Sequence, residues 1–246
     1  MNSSRDLTII IQSRMGSSRL PGKMVLSING ETILETVLIR LLKEFPPENI
    51  YIAITDLPQD DILNNIADQF GIQVFRGDNE NVLSRFVEIA HKVKTRFVCR
   101  LTGDSPMIMP ELINDAYSQI ESSNFDYVST ILNENFPLGV HVEVFKLGCL
   151  IDRLPKEPNV TQCEHVTSFI YNNSEFKCKN LMVENKYPYG RYTLDYLQDF
   201  HFFYKLSNYL NMPLSQITID DLWKVKINNP KIFHINMSIK KERTAV

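Results

Sequence analysis

A cationic loop follows the first apolar run of the sequence and holds the residues best suited to chemistry. It runs from Gln12 to Lys23 and combines three cations with hydroxyl groups and glycines. The residues concerned are Arg14, Gly16, Ser17, Ser18, Arg19, Gly22 and Lys23. Glycine lets backbone N–H groups approach an anion, arginine binds two phosphate oxygens at once, and lysine adds a compact charge. The composition indicates a triphosphate site, and the alternative is a solvated basic loop.

The spacing within this loop excludes two familiar phosphate-binding motifs. A Walker A loop has four residues between its glycines, whereas five residues separate Gly16 from Gly22. Met24 follows Lys23 and lacks the hydroxyl group that would reach a magnesium ion. The loop does not match G-x-G-x-x-G either. Any phosphate chemistry here therefore uses a different arrangement of loop cations.

Two aspartates stand where a magnesium ligand is expected. Asp104 follows a predicted strand within Thr102-Gly103-Asp104, and Asp195 stands directly before a predicted helix. Carboxylate oxygens are ligands that Mg²⁺ prefers in proteins. The alternatives are a turn or helix-cap role for Asp104 before Pro106, and an N-cap role for Asp195.

Alternating strands and helices must position these residues. The continuous apolar run Leu7–Gln12 predicts a buried strand of a parallel sheet. Strands are further predicted at 51–54, 72–75, 96–101 and 127–131, and helices at 32–45, 60–70, 79–93 and from Pro110. This alternation predicts an α/β fold with a mostly parallel sheet and right-handed crossovers. Ligands of such sheets bind beyond the carboxyl ends of the strands, so the loops after Gln12 and Leu101 are the candidate site.

The second half of the chain has a looser pattern. It predicts a strand at 140–145, a helix at 164–172, an extended segment at 180–183, and helices from Asp195 to about Leu210 and at 215–227. The final stretch, 237–246, is polar and is expected to be a loose tail. The sequence has no internal repeat or linker, so we expect one domain of 246 residues.

Composition narrows the class of protein. The formal net charge is −3, with 22% charged and 43% hydrophobic residues, as in ordinary globular proteins. The protein has no net basic charge that would attract the backbone of a nucleic acid. Four widely spaced cysteines without a C-x-x-C pair predict free thiols in the cytoplasm. The run Leu7–Ile11 is too short for a signal peptide or a membrane span.

The chemistry-bearing segments resemble one family in their order along the chain. The first loop resembles the R-x-x-S-x-R-L-P-x-K signature of the sugar-acid cytidylyltransferases, which include CMP-KDO synthetase and acylneuraminate cytidylyltransferase. The spore-coat polysaccharide biosynthesis protein F family is the most similar branch. The resemblance extends over about residues 7 to 210 and includes Phe75–Asp78 with Asn81–Phe86, Arg100–Pro106, Gly139–Phe145, Glu164–Thr167 and Arg191–Asp195.

The resemblance implies a fold and a reaction. The fold is a Rossmann-like sheet of the nucleotidyltransferase type, with a protruding dimerisation element at about 130–190. The reaction transfers CMP from CTP to a KDO- or nonulosonate-like sugar acid, with Mg²⁺, and releases pyrophosphate for surface polysaccharide biosynthesis. The usual assembly is a homodimer.

The resemblance also assigns roles to individual residues. Catalytic roles fall on Arg14, Lys23 and Asp104, and metal binding falls on Asp104 and Asp195. The nucleotide is bound by Gln12, Arg14, Gly16, Ser17, Ser18, Arg19, Lys23, Gly77, Arg100 and Asp104. The sugar acid is bound by Arg76, His141, Glu143, Glu164 and His165. His141 and Glu143 stand two residues apart, so in a strand they share one face.

The sequence departs from the family pattern at three places. His141 replaces an aspartate, Cys163 replaces an arginine, and the block after Asp195 lacks the usual proline and glutamate. These departures leave open a nucleotide-binding protein without turnover. A nucleotide-sugar-dependent glycosyltransferase also stays open, because such proteins share nucleotide-binding sheets. The glycosyltransferase is disfavoured because such enzymes usually carry an Asp-x-Asp metal motif. Only one aspartate is present in Gly103-Asp104-Ser105-Pro106. For Arg76, Arg85 and Arg100, the alternative to anion contact is a structural ion pair.

Overall fold

A seven-stranded sheet forms the centre of the protein in the computed structural model, which describes residues 6–133, 136–181 and 187–239. The strand order is β5-β4-β1-β6-β8-β7-β9, and a two-stranded hairpin, β2-β3, lies outside the sheet. The strands are β1 (Leu7–Gln12), β2 (Ser27–Ile28), β3 (Glu31–Thr32), β4 (Ile50–Thr55), β5 (Gln73–Gly77), β6 (Phe97–Thr102), β7 (Tyr127–Ser129), β8 (Glu143–Lys146) and β9 (Cys178–Asn180). Strands β5, β4, β1 and β6 are parallel, and β8 is antiparallel to both of its neighbours. The predicted α/β class with a mostly parallel sheet is confirmed.

Helices cover both faces of the sheet. They are α1 (Ile33–Leu42), α2 (Asp61–Gln69), α3 (Val82–Ala90), α4 (Pro110–Glu121), α5 (Gly148–Ile151), α6 (Val160–His165), α7 (Ser168–Tyr171), α8 (Leu197–Leu210), α9 (Ile219–Asn228) and α10 (Lys231–His234). Successive residues of β1 point to opposite faces. Ile9 and Ile11 therefore join the apolar cluster that includes α1, α2, α4 and α8, while Ile10 joins the cluster of α3, α5 and α7. Within the described residues, no helix has both the length and the apolar character needed to cross a membrane.

The register of β1 brings the two candidate loops together. Gln12 at the end of β1 pairs with Thr102 at the end of β6. The N–H of Gly103 then donates to the carbonyl oxygen of Gln12 over 2.9 Å. The loops that begin at Ser13 and Gly103 are consequently neighbours at the carboxyl edge of the sheet, as the sequence predicts.

The strand predicted at 140–145 begins only at Glu143, and His141 precedes it. The predicted start of this strand is therefore wrong, and the shared face of His141 and Glu143 stays a prediction. The reason is a backbone constraint just upstream, since Gly139 has a φ of +94° and Leu138 forms an isolated bridge with Arg191. This bridge joins the segment before β8 to the chain that leads to Asp195.

Replacing Gly139 by alanine is expected to destabilise the protein. A Cβ atom there would lie 2.2 Å from backbone atoms of Tyr192 and Thr193, in addition to the strain of a positive φ. Gly71 is the matched control, because it has a φ of +66° but no heavy atom within 4 Å of the ideal Cβ position. Backbone strain alone costs about 1–2 kcal/mol at each site. Overpacking should add about 1–3 kcal/mol for Gly139→Ala only. Urea unfolding of both variants measures the difference, and equal losses would contradict the expectation.

The helix predicted at 164–172 is two short helices. Helix α6 ends at His165 and α7 starts at Ser168, because Val166 between them has a φ of +50°. The extended segment predicted at 180–183 corresponds to β9, which ends at Asn180, and its last two residues lie outside the described ranges. The tail expected at 237–246 is described only to residue 239.

The range expected to protrude, about 130–190, also contributes to the main sheet. Strand β8 hydrogen-bonds to β6 and β7, and β9 extends the sheet edge beyond β7. Its described residues are thus partly integral to the central sheet, and dimerisation through this range stays a prediction.

Candidate active site

The first loop is held by its own hydrogen bonds and by one buried carboxylate. The N–H groups of Ser17 and Gly22 both donate to the carbonyl oxygen of Met15, at 2.9 and 3.0 Å. The N–H of Met15 donates to Asp60, over 2.8 Å. Asp60 is fully buried and also accepts hydrogen bonds from the N–H and hydroxyl of Thr55 at the end of β4. The buried Asp60 therefore anchors the loop to the sheet, a role that the sequence did not reveal.

The two aspartates converge on one lysine. The Nζ of Lys23 donates to Asp104 over 2.6 Å and to Asp195 over 3.0 Å. Asp104 follows β6 and Asp195 precedes α8, although 91 positions separate them in the sequence. The N–H of Leu194 donates to the carbonyl oxygen of Asp104 over 2.8 Å, which fixes the two segments side by side. The structure thus brings together the predicted metal aspartates and a predicted phosphate-binding cation.

The local electrostatics keep Lys23 and Asp195 ionised. Lys23 is buried, and burial by itself would lower its pKa. The carboxylates of Asp104 and Asp195 outweigh burial and hold the pKa of Lys23 above its ordinary value. Burial likewise would raise the pKa of Asp195, but Lys23 and Arg19 outweigh it and lower the pKa of Asp195 to about 2.

Asp195 is surrounded by cations on both of its oxygens. Its Oδ1 accepts from Arg19 over 2.9 Å as well as from Lys23. Its Oδ2 accepts from Arg191 over 3.1 Å and from the hydroxyl of Thr193 over 3.3 Å. Oδ1 therefore faces the cations of the first loop, and Oδ2 faces the chain that precedes α8.

A buried ion pair holds Arg191 in place. Asp199 is fully buried and accepts from the Nε and Nη2 of Arg191, at 2.8 and 3.1 Å. Asp199 also accepts from the backbone N–H groups of Asp195 and Tyr196, and from the side-chain amide of Asn236. Asp199, and not Asp195, thus satisfies the donors at the start of α8, so the N-cap alternative for Asp195 is wrong. The spacing of four residues between 191, 195 and 199 is the signal that could have revealed this group.

A second polar chain starts from Gln12. Arg100 donates from Nε to the side chain of Gln12 over 3.0 Å and forms a buried ion pair with Glu143. Glu143 also accepts from the hydroxyl of Tyr127 over 2.7 Å and from the hydroxyl of Thr167. For Arg100, the structural ion pair is what the structure shows. Glu143 is only 4% exposed and is engaged by protein groups, which leaves its contact with a sugar acid a prediction without geometric support.

The remaining predicted substrate residues are dispersed. His165 ends α6, where burial lowers its pKa although the nearby charge of Glu164 opposes this shift. Glu164 beside it is exposed, and His141 is partly exposed. Arg76 lies on the β5 edge strand, where it pairs with Asp61 and donates to the carbonyl oxygen of Leu57 over 2.9 Å. The structure therefore shows Arg76 in a structural ion pair, the alternative to contact with an anionic substrate.

Gly77 ends β5 and faces a buried arginine. A Cβ atom on Gly77 would lie 2.9 Å from the Cγ of Arg85. Arg85 is 2% exposed and donates to the carbonyl oxygen of Ala53 over 3.1 Å. Burial, followed by the nearby charge of Arg14, lowers the pKa of Arg85. Arg14 itself is exposed, so its guanidinium group is accessible to an anionic ligand at the first loop.

The donor set fits a magnesium ion that arrives with a nucleotide. Within residues 6–133, 136–181 and 187–239, no cluster of three or more His, Cys, Asp or Glu side chains could hold a metal. Asp104 and Asp195 nevertheless converge on one positive charge. Mg²⁺ is commonly bound by one or two carboxylates, with phosphate oxygens and water completing its shell. Two carboxylates beside a cationic loop match this requirement.

Comparisons with known proteins agree with this geometry. The cytidylyltransferase family matches residues 8–229. The spore coat polysaccharide biosynthesis protein SpsF of Bacillus subtilis (strain 168) is 34% identical over 204 residues, which cover 79% of this chain and 83% of SpsF. The 3-deoxy-manno-octulosonate cytidylyltransferase of Escherichia coli is 38% identical over 104 residues, which cover 42% of this chain and 41% of that protein.

A solved structure resembles nearly the whole chain. A cytidylyltransferase from Leptospira borgpetersenii serovar Hardjo-bovis (strain JB197) superposes with a TM-score of 0.85 at 28% sequence identity. The match covers 96% of this chain and 99% of that one. The family match spans nearly the whole described sheet and both aspartate segments. This protein therefore belongs to the cytidylyltransferase family and is a nucleotidyltransferase.

Proposed function

We propose that the protein transfers CMP from CTP to a hydroxyl group of a KDO- or nonulosonate-like sugar acid and releases pyrophosphate. The observation that carries the proposal is the convergence of Lys23, Asp104 and Asp195 at the carboxyl edge of the sheet. A relative that acts on 3-deoxy-manno-octulosonate and another named for spore coat polysaccharide biosynthesis support the sugar acid and a role in surface polysaccharides.

The chain's own residues account for most of the transfer. Arg14, Arg19 and Lys23 hold the triphosphate and neutralise the charge that grows on the leaving pyrophosphate. The sugar hydroxyl attacks the α-phosphorus in line. The new O–P bond forms as the bond to pyrophosphate breaks, and the hydroxyl proton is released. Asp104 and Asp195 would hold Mg²⁺, which supplies charge neutralisation at the phosphates when bound. Transfers of this kind are catalysed mainly by positioning and charge stabilisation.

Pyrophosphate release tests the proposal. CTP, UTP, ATP and GTP are each combined with 3-deoxy-manno-octulosonate, N-acetylneuraminate or mannose, in the presence of Mg²⁺. The proposal expects release with CTP and one of the acids, and none with mannose. Release without CTP would contradict the choice of nucleotide. The glycosyltransferase alternative would instead be supported by transfer of a sugar from a nucleotide sugar to mannose.

Nucleotide binding is tested separately from turnover. A ligand present at 100 times its dissociation constant adds about 2.7 kcal/mol to the free energy of unfolding. We therefore expect CTP with Mg²⁺ to raise the melting temperature more than the other three triphosphates. Stabilisation by CTP without pyrophosphate release from any acid would favour the alternative of a nucleotide-binding protein without turnover.

We also propose that the protein is located in the cytoplasm and forms a homodimer. All four cysteines are free thiols in the structure, as a reducing compartment requires. The homodimer rests on the family resemblance, and light scattering after gel filtration measures it directly.

A further inference from the structure

Lys23 has a second role that follows from where its ammonium group lies. We propose that Lys23 is an exchange cation: in the nucleotide-free enzyme its ammonium occupies the position between Asp104 and Asp195 that the metal of metal–CTP takes. The arriving nucleotide then draws the ammonium onto its phosphates. This inference rests on the proposed function, because it assumes that the two aspartates hold the metal.

The two carboxylate oxygens of Asp195 bind different cations. Lys23 and Arg19 both come from the first loop and both bind Oδ1. Arg191 binds Oδ2 and is held from behind by the fully buried Asp199. When the loop cations move to a triphosphate, Oδ1 becomes available to a metal while Oδ2 keeps its partner. The carboxylate is thereby kept in position throughout the exchange.

Charge explains why the metal should come with the nucleotide. The Lys23 side chain is 10% exposed and has its two carboxylate partners within 3.0 Å. A divalent cation without nucleotide would have to displace this ammonium and leave it close to a like charge. A metal–triphosphate complex offers the displaced ammonium several anionic oxygens, so the exchange conserves its ion pairing. Metal binding and nucleotide binding are therefore expected to be coupled through Lys23.

Removal of the ammonium should consequently improve the binding of a metal alone. We expect Lys23→Met to bind Mn²⁺ more tightly than the wild type in the absence of nucleotide, by about 5–150-fold, the usual range of coupling between two ligands. Lys23→Met should at the same time bind CTP more weakly. The opposite signs of these two effects distinguish an exchange cation from a residue that is needed only for folding.

The experiment measures free Mn²⁺ by electron paramagnetic resonance during titration of each protein without nucleotide. Lys146→Met is the matched control. It removes the same charge from an ion pair with Asp126 that lies away from this site. Its Mn²⁺ affinity should equal that of the wild type. Lys23→Met combined with Asp104→Asn should lose the gain. If Lys23→Met fails to fold, Lys23→Gln provides the same measurement with a neutral polar side chain.

The outcomes separate this inference from the proposed function. An Mn²⁺ affinity of Lys23→Met equal to or below that of the wild type overturns the exchange, even where the wild type binds Mn²⁺ with CTP and releases pyrophosphate. In that case the proposed function stands. If the wild type neither binds Mn²⁺ with CTP nor releases pyrophosphate from any sugar acid, both proposals fail. A gain in Lys23→Met that the Asp104→Asn combination abolishes supports the exchange.

Discussion

Replacing Asp104 by asparagine is expected to lower the rate of pyrophosphate release by about 100- to 1,000-fold while the protein stays folded. Loss of one preorganised group that stabilises charge in the transition state typically has an effect of this size. Asparagine keeps the shape of the side chain and can still accept the hydrogen bond from Lys23, so the fold should persist. The measurement is the initial rate at saturating CTP, with circular dichroism as the test of folding.

Asp195→Asn should have a comparable effect and should also raise the magnesium concentration needed for activity. The structure makes this variant informative, since Asp199 provides the helix cap and Asp195 does not. The control is Asp61→Asn, which removes the same charge from an exposed pair with Arg76 at the sheet edge. A magnesium titration of Asp195→Asn that overlays the wild type would leave Asp104 as the single metal aspartate.

Replacing Asp199 by alanine is expected to lower the free energy of unfolding by about 3–5 kcal/mol, the usual loss when one partner of a buried ion pair is removed. Among the residues that the structure describes, Arg191 would then keep Asp195 as its anionic partner. The backbone N–H groups of Asp195 and Tyr196 would lose their acceptor as well. For a chain of this length, the change corresponds to a melting temperature lower by roughly 6–20 °C.

Asp221→Ala is the matched control for this stability effect. Asp221 occupies the same position in α9 that Asp199 occupies in α8, and it likewise binds the start of its helix. Its cationic partner, Lys224, is exposed. Asp221→Ala should therefore lower the free energy of unfolding by about 1 kcal/mol, as is usual for the loss of a helix cap with a surface ion pair. Equal losses in the two variants would mean that the Arg191–Asp199 pair adds nothing beyond capping.

The local pattern of the sequence was sufficient to predict several strands and helices of the fold. The apolar run of β1, the helix that Pro110 opens and the end of α2 before Gly71 all depend on neighbours within a few residues. Periodicity and the backbone preferences of proline and glycine act over that range. Because parallel strands share one carboxyl edge, the same pattern also predicted that the loops after Gln12 and Leu101 would meet.

The tertiary structure alone decided which charges are paired. The local sequence places Arg100 in a strand and Arg14 in a loop, but it does not show that Glu143 neutralises Arg100. The register of β6 with β8 sets this pairing, since it places Arg100 opposite Glu143. The positive φ at Gly139 lies against the distant backbone of Tyr192 and Thr193, so it likewise depends on tertiary packing.

The same distinction applies within the candidate site. The residue types and order of the first loop, with Asp104 after a strand, were sufficient to indicate a metal-dependent phosphate site. That Lys23 lies between Asp104 and Asp195 required the fold, whereas the four-residue spacing of Arg191, Asp195 and Asp199 is visible in the sequence. The two ion pairs of Lys23 join residues 81 and 172 positions apart, and they follow from how strands and helices pack, which the propensities of single residues do not encode.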